Sequence, residues 1–370
     1  VKHVDLLIKP ASGLCNMRCR YCFYHDLMKA QIQPQTVMTP ETMRLVIRRA
    51  FDEAEEAVSF SFQGGEPTVA GLDFFREFVR EVHTYADRNI QVQYAIQTNG
   101  LALDEAWAEF LRDHGFLVGI SIDGAAASHD RYRIDAAGNG TYARVSAARK
   151  LLHRYGVDYN ILCVVTADAA RHPRRLYGEL KATGCRYLQF IPCLDPLEAE
   201  RGQEPYSLTP ELYGQFLVQL FDLWYADWKA GRYVSIRLFD DYVHIAAGMP
   251  GGTCAASGRC GGYLVVESDG SVYPCDFYVT EQHRLGSLAE QSVRELMNGE
   301  QNTAFLRTSA AFTSTCTGCR YFPVCHGGCR RDRLPTGENY LCPALKTFFD
   351  AALPRLMEMA RAERAAAGRR

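Results

Sequence analysis

A chain of 370 residues has room for about two domains, and with 47% apolar and 11% aromatic residues it can fill a substantial core. Its 41 basic and 43 acidic residues nearly cancel, to a net charge of −2, which excludes a nucleic-acid partner held by bulk charge. No apolar run approaches the ~18 residues of a membrane span, and the opening VKHVDLLIKP lacks the layout of a signal peptide. A cytoplasmic protein without a membrane or nucleic-acid partner is therefore expected.

Strands are expected at 4–8, 57–62, 90–96, 116–122, 157–165 and 186–191, where short apolar runs rich in β-branched and aromatic residues recur. Between them, helical patterns fall near 40–56, 72–87, 104–114, 141–155 and 171–183. The first opens with Thr39 as N-cap and Pro40 at N1. Alternation of this kind implies a parallel sheet with right-handed crossovers. Six units are too few for a complete barrel, so the fold class is α/β with an open, partial (β/α)6 barrel. Its ligand site then lies at the carboxyl ends of the strands, where CNMRCRYC, QGGEP, QTNG, SIDG and CLDP all follow a strand.

A longer helix is expected at 209–230. Beyond it the chain turns rich in Gly and Cys, and from 251 to 342 long regular elements are few. One hairpin stands out, GYLVVESDGSVYPCDF, turning at Ser268-Asp269-Gly270-Ser271. So small a core calls for metal or disulfide staples. The expected division is 1–235 as the barrel, 236–350 as the cysteine-rich domain, and 351–370 as a terminal helix with a fraying tail, RAERAAAGRR.

Fourteen cysteines in a reducing compartment point to metal binding rather than disulfides. Cys15, Cys19 and Cys22 sit in one loop after the first strand, spaced to hold three corners of a cubane cluster. The fourth iron is left open to chelate S-adenosylmethionine (SAM), whose cleavage yields a 5′-deoxyadenosyl radical. Zinc is the alternative, although zinc loops favour paired C-x2-C knuckles with four ligands. Cys163, Cys185 and Cys193 fall in or beside apolar strands and read as buried small hydrophobes.

CNMRCRYC resembles the CxxxCxΦC signature of the radical SAM superfamily, with Tyr21 as the aromatic Φ. Gly64-Gly65-Glu66-Pro67 resembles the superfamily's GGEP motif, which implies that this segment receives the methionine amino group. The resemblance also implies SAM contacts at Ser121, Arg133 and Leu194. Cys260-x9-Gly270-x4-Cys275, then Cys316-x2-Cys319-x5-Cys325-x3-Cys329 and Cys342, is similar to the SPASM domain, a twin-cluster module. Carried over, Cys254, Cys260, Cys275 and Cys329 hold the inner auxiliary cluster. Cys316, Cys319, Cys325 and Cys342 hold the outer one, making three [4Fe-4S] clusters in all. Two structural zinc sites are the alternative, yet only one C-x2-C knuckle is present.

LLIKPASGLCNMRCRYCFYH, FQGGEPT, QTNG, LVGISIDG, NILCVVT, QFIPCLDP and VVESDGSVYPCDFYV together resemble the anaerobic sulfatase-maturating enzymes. That family oxidises a Cys or Ser of a sulfatase to Cα-formylglycine by abstraction of a Cβ hydrogen. The implied partners are an unfolded or nascent sulfatase bearing C/S-x-P/A-x-R and a flavodoxin- or ferredoxin-type electron donor. Asp276 aligns with the proposed base, and Tyr24, Gln63 and Gln97 are candidates to line the peptide channel. Another SPASM peptide maturase, forming crosslinks or epimerising a small peptide, is the rival. Such enzymes often carry a recognition domain before the first strand, and only a few residues precede it here. A non-catalytic electron carrier would need neither the open-iron loop nor GGEP.

Overall fold

The computed structural model describes residues 1–24, 35–196 and 199–367. In chain order its strands are β1 (His3–Ile8), β2 (Ala57–Phe62), β3 (Gln91–Thr98), β4 (Leu117–Ser121), β5 (Tyr159–Val165), β6 (Tyr187–Pro192), β7 (Ser235–Ile236), β8 (Leu264–Val266), β9 (Ser271–Tyr273) and β10 (Gly286–Ser287). All six strands expected from the sequence form as β1–β6, and the helices between them form at Pro40–Glu53, Leu72–His83, Glu105–Asp113, Tyr142–Tyr155 and Pro173–Ala182. Thr39 caps the first of these, its side chain accepting from the Thr42 N–H at 3.2 Å, with Pro40 next to it.

Two compact units interleave along the chain. One comprises Val1–Ile122, His129–Asn160 and Gly261–Arg307; the other comprises Asp123–Ser128, Ile161–Cys260 and Thr308–Arg370.

In the first unit β1 pairs in parallel with β2, β2 with β3, and β3 with β4. Alternate residues of β2, Val58, Phe60 and Phe62, are fully buried. They pack against helix aromatics: the Phe62 ring lies 4.9 Å from both Phe75 and Phe78, and Phe75 lies 5.1 Å from Trp107. Period-two alternation puts Ser59, Ser61 and Gln63 on the opposite face, together with Gln93, Ala95 and Gln97 of β3 and its end. The β8–β9 hairpin, which the sequence groups with the cysteine-rich segment, adds to this sheet. Strand β8 runs parallel to β1, with Leu6 opposite Leu264 and Ile8 opposite Val266. Strands β9 and β10 then continue it in antiparallel fashion.

In the second unit β5, β6 and β7 are parallel neighbours. The helix Pro210–Lys229, capped by Thr209, packs on a terminal helix Cys342–Ala367, with Phe221 and Phe348 rings 5.6 Å apart. That terminal helix carries residues 361–367, read from the sequence as fraying, in regular structure; 368–370 lie outside the described residues. No described helix is long and apolar enough to cross a membrane.

Candidate active site

From the end of β1 a strap, Lys9–Leu14, leads into the loop of Cys15, Cys19 and Cys22. It lies directly on the glycines that follow β2. Gly65 N–H donates to Ser12 O and Glu66 N–H to Leu14 O, each at 2.8 Å. A Cβ on Gly65 would stand 2.3 Å from the carbonyl oxygens of Gly13 and Leu14, and one on Gly64 would stand 2.6 Å from Ser12 O. Gly64 also has φ +130°, open only to glycine. The close approach these glycines allow is thus in the first place that of the chain's own strap.

Glu66 is 1% exposed and accepts four hydrogen bonds, from Thr68 N (3.1 Å), Thr68 Oγ1 (2.6 Å), Thr98 Oγ1 (2.7 Å) and Asn99 N (2.7 Å). Burial pushes its carboxyl up, and these donors pull it back. It knits the segment after β2 to the QTNG segment at the end of β3. Asn99, quoted in that motif but given no role by the sequence reading, donates from Nδ2 to Asn16 Oδ1 at 2.8 Å and reaches the Cys15 sulfur at 3.7 Å. Only the loop's fold could reveal that contact.

The three thiols are half-exposed, so iron can reach them. Burial pushes Cys15 up to about 11; a bound cation would offset that cost by holding the sulfur as thiolate. The loop is latched by Arg18 N–H to Ile134 O and Arg20 N–H to Tyr132 O, at 2.8 and 2.9 Å. Arg133 lies over the Tyr21 ring, 5.5 Å from its centre. Gln97 donates to Ser121 Oγ at 3.0 Å. Leu194 follows β6 in the second unit, half-buried.

Asp276 is the focus of the first unit. It follows Cys275 at the end of the β8–β9 hairpin and is 3% exposed, which rules out a solvated loop carboxylate. Its Oδ2 accepts a short hydrogen bond from Tyr24 OH and one of 3.0 Å from Gln63 Nε2, which also reaches Tyr24 OH at 3.0 Å. Among the described residues its buried Oδ1 has no partner. Burial raises the carboxyl from its ordinary value. Two of the three expected channel residues, Tyr24 and Gln63, are thereby joined to Asp276.

In the second unit Cys316, Cys319, Cys325 and Cys342, more than 20 positions apart at the extremes of the sequence, line one cavity of about 360 Å³. Thr313 caps the turn that carries Cys316, and Cys342 opens the terminal helix. Burial pushes Cys325 up to about 11. Cys329 lines a neighbouring cavity of about 210 Å³ with Thr253, Ala255 and Ala256, the residues flanking Cys254. Cys260 belongs to this unit as well, whereas Cys275 belongs to the first. Cys163, Cys185 and Cys193 are buried, as small hydrophobes are.

The family described as Radical SAM superfamily matches residues 10–168, and the iron–sulfur cluster-binding domain SPASM matches 254–320. Over 367 residues the chain is 44% identical to the cysteine-type anaerobic sulfatase-maturating enzyme of Clostridium novyi (strain NT), covering 98% of each. The chain belongs to the anaerobic sulfatase-maturating enzymes. This sulfatase-maturating enzyme is also 33% identical to the serine-type member of Klebsiella aerogenes, over 96% of its own length and 87% of the relative's. It matches the solved structure of native anSMEcpe with bound AdoMet and Cp18Cys peptide at a TM-score of 0.93 and 42% identity, covering 97% of this chain and 99% of that one. The fold is therefore the expected one, a radical SAM barrel with a SPASM domain. The enzyme is a radical SAM oxidoreductase that converts a Cys or Ser side chain to formylglycine, using SAM and three [4Fe-4S] clusters. It acts on a peptide substrate.

Proposed function

We propose that this enzyme acts on a cysteine of its target sulfatase, with Asp276 as the base. The observation that carries the role of Asp276 is its carboxylate: Oδ2 is held by Tyr24 and Gln63, while Oδ1 is buried and unpartnered among the described residues. A buried acceptor without a donor is costly, and a target thiol within hydrogen-bond reach would satisfy it. Cys15, Cys19 and Cys22 would hold a four-iron cluster, which with SAM would supply the 5′-deoxyadenosyl radical for removal of one Cβ hydrogen atom. Asp276 accepts the thiol proton, and the one further electron would pass to an auxiliary cluster held by the carboxy-terminal cysteines. The side chain has then lost two hydrogens and become a thioaldehyde, which water converts to the aldehyde with release of hydrogen sulfide. Tyr24 and Gln63 keep the carboxylate from rotating away while the proton moves. Ser121, Arg133, Leu194 and the Gly64–Glu66 segment are assigned to SAM. The eight cysteines from Cys254 to Cys342 are assigned to the two auxiliary clusters.

Identities of 44% and 42% to cysteine-type relatives, against 33% and 30% to serine-type ones, support the preference for cysteine. The substrate of this reading is an unfolded or nascent stretch of the form C-x-P/A-x-R. Its electron donor is of the flavodoxin or ferredoxin type. A reducing, cytoplasmic setting suits a chain with fourteen cysteines at cluster-ligating spacings.

Anaerobic incubation with matched Cys and Ser peptides, read by mass spectrometry, tests the reading. The Cys peptide is expected to lose two hydrogens and exchange sulfur for oxygen, and to react at least ~10-fold faster than the Ser peptide. Equal or faster turnover of the Ser peptide would overturn the preference. Asp276→Asn is expected to keep its iron and lose on the order of 100-fold in formylglycine rate. A parental rate in that variant removes Asp276 from the mechanism.

A further inference from the structure

Lysine directly after an apolar strand ordinarily reaches solvent. Lys9, at the end of β1, is instead 1% exposed. Its stem lies against Gly64, where a Cβ would meet Lys9 Cβ at 3.3 Å and Cε at 3.4 Å. Its ammonium stands 2.6 Å from Glu267 Oε1 and 5.1 Å from the centre of the Tyr24 ring. Glu267 is 4% exposed, in the turn between β8 and β9. Its second oxygen accepts from Ser12 Oγ at 2.6 Å, and Ser12 Oγ lies 2.8 Å from Ser268 Oγ. Ser12 has φ +48°, a conformation a serine holds only when its surroundings fix it.

A buried ion pair is a poor way to stabilise a core, because apolar residues of similar volume commonly do as well or better. This one joins three things the reaction needs in register. It grips the strap that carries Cys15, through Ser12. It underlies the ring of Tyr24, whose hydroxyl holds Asp276. It also sits in the hairpin that delivers Asp276. Both partners belong to the first unit.

We propose that Lys9 and Glu267 are positioning residues that lock the Cys15 strap, the Tyr24 ring and the Asp276 hairpin in one register. Hydrogen-atom removal and proton removal then act on the same target residue. This rests on the reading of Asp276 as the base. Loss of the pair leaves the radical chemistry running and uncouples it from product.

The test uses the reconstituted enzyme carrying Lys9→Met, Glu267→Gln or both, with the Cys peptide. Formylglycine formed per deoxyadenosine released is expected to fall about tenfold in each single variant, with deoxyadenosine release within about twofold of the parent. The double variant should lose no more than the worse single one, as expected for residues that act as a unit. A readout separate from activity is the ¹⁹F spectrum of 3-fluorotyrosine at position 24. Its resonance is expected to shift and broaden in Lys9→Met while iron content stays parental. A parental ratio with a parental resonance overturns the proposal. So does a loss of formylglycine and deoxyadenosine in proportion to lost iron, which would make the pair a fold support only. Should Lys9→Met fail to fold, Ser12→Ala removes only the strap's hydroxyl and is expected to lower the ratio about threefold; an unchanged ratio there sinks the idea. Full activity of Asp276→Asn would defeat the underlying reading whatever the Lys9 variants do.

Discussion

Two carbonyl oxygens stand 2.3 Å from where Gly65 would carry a methyl group, and both belong to backbone that cannot swing aside. Gly65→Ala is therefore expected to lift the strap from β2, at a cost of about 3 kcal/mol. It should also displace Cys15, with loss of iron from the first cluster while the auxiliary clusters remain. Iron counting and thermal melting check this; parental values for both would contradict the packing described. Legibility at this scale was uneven. Cys15, Cys19 and Cys22 stood out because their spacing is chemically unusual, and Asp276 only through the family resemblance of the motif around it. Lys9, Ser12 and Glu267 did not, since a lysine, a serine and a turn glutamate read as solvated residues. Their burial comes from partners some 255 positions away.

Between elements, buried charge fixes how helices meet. Asp227, on the helix Pro210–Lys229, is 6% exposed. It accepts from Tyr177 OH at 3.0 Å and Arg232 Nε at 3.2 Å, and it pairs closely with Lys181 of the helix Pro173–Ala182. Burial pushes its carboxyl up, but Lys181, Tyr177 and Arg232 together outweigh that and hold it below the ordinary value. A depressed folded value means that the stabilisation is present above the unfolded pKa of about 3.9 and is lost as pH falls through the folded one. Asp227→Asn is expected to cost about 2 kcal/mol near pH 7, with the difference from the parent shrinking below about pH 4. Denaturant melts at both pH values measure it, and a gap that persisted in acid would rule the ion pair out as its source. The helices themselves were legible, because apolar periodicity and caps such as Thr39 and Thr209 are local signals. Which strand received the β8–β9 hairpin was not. That hairpin's strands are three residues each and fully buried, too short for their pattern to name a neighbour.

Across the whole molecule, regular structure thins where cysteines gather. Between Thr313 and Cys342 the chain offers only single turns, such as Ser314–Thr317 and Phe322–Cys325, around the cavity lined by four cysteines. Metal binding supplies folding energy in segments with so little core. Stripping iron under reductant is expected to raise amide exchange across 313–342 by more than about tenfold, with β2 and β3 still protected. Unchanged exchange there would show that the segment holds itself. The sequence by itself determined the β/α alternation, the cysteine-rich motifs and the family. Each of these is written in short-range spacing, and spacing survives without knowledge of the fold. Only the tertiary structure decided that the hairpin beside β1 carries Asp276 to Tyr24 and Gln63, and that Lys9 turns inward to meet Glu267. Those contacts join residues hundreds of positions apart, and the pairing of strands, not local preference, brings them within hydrogen-bond reach.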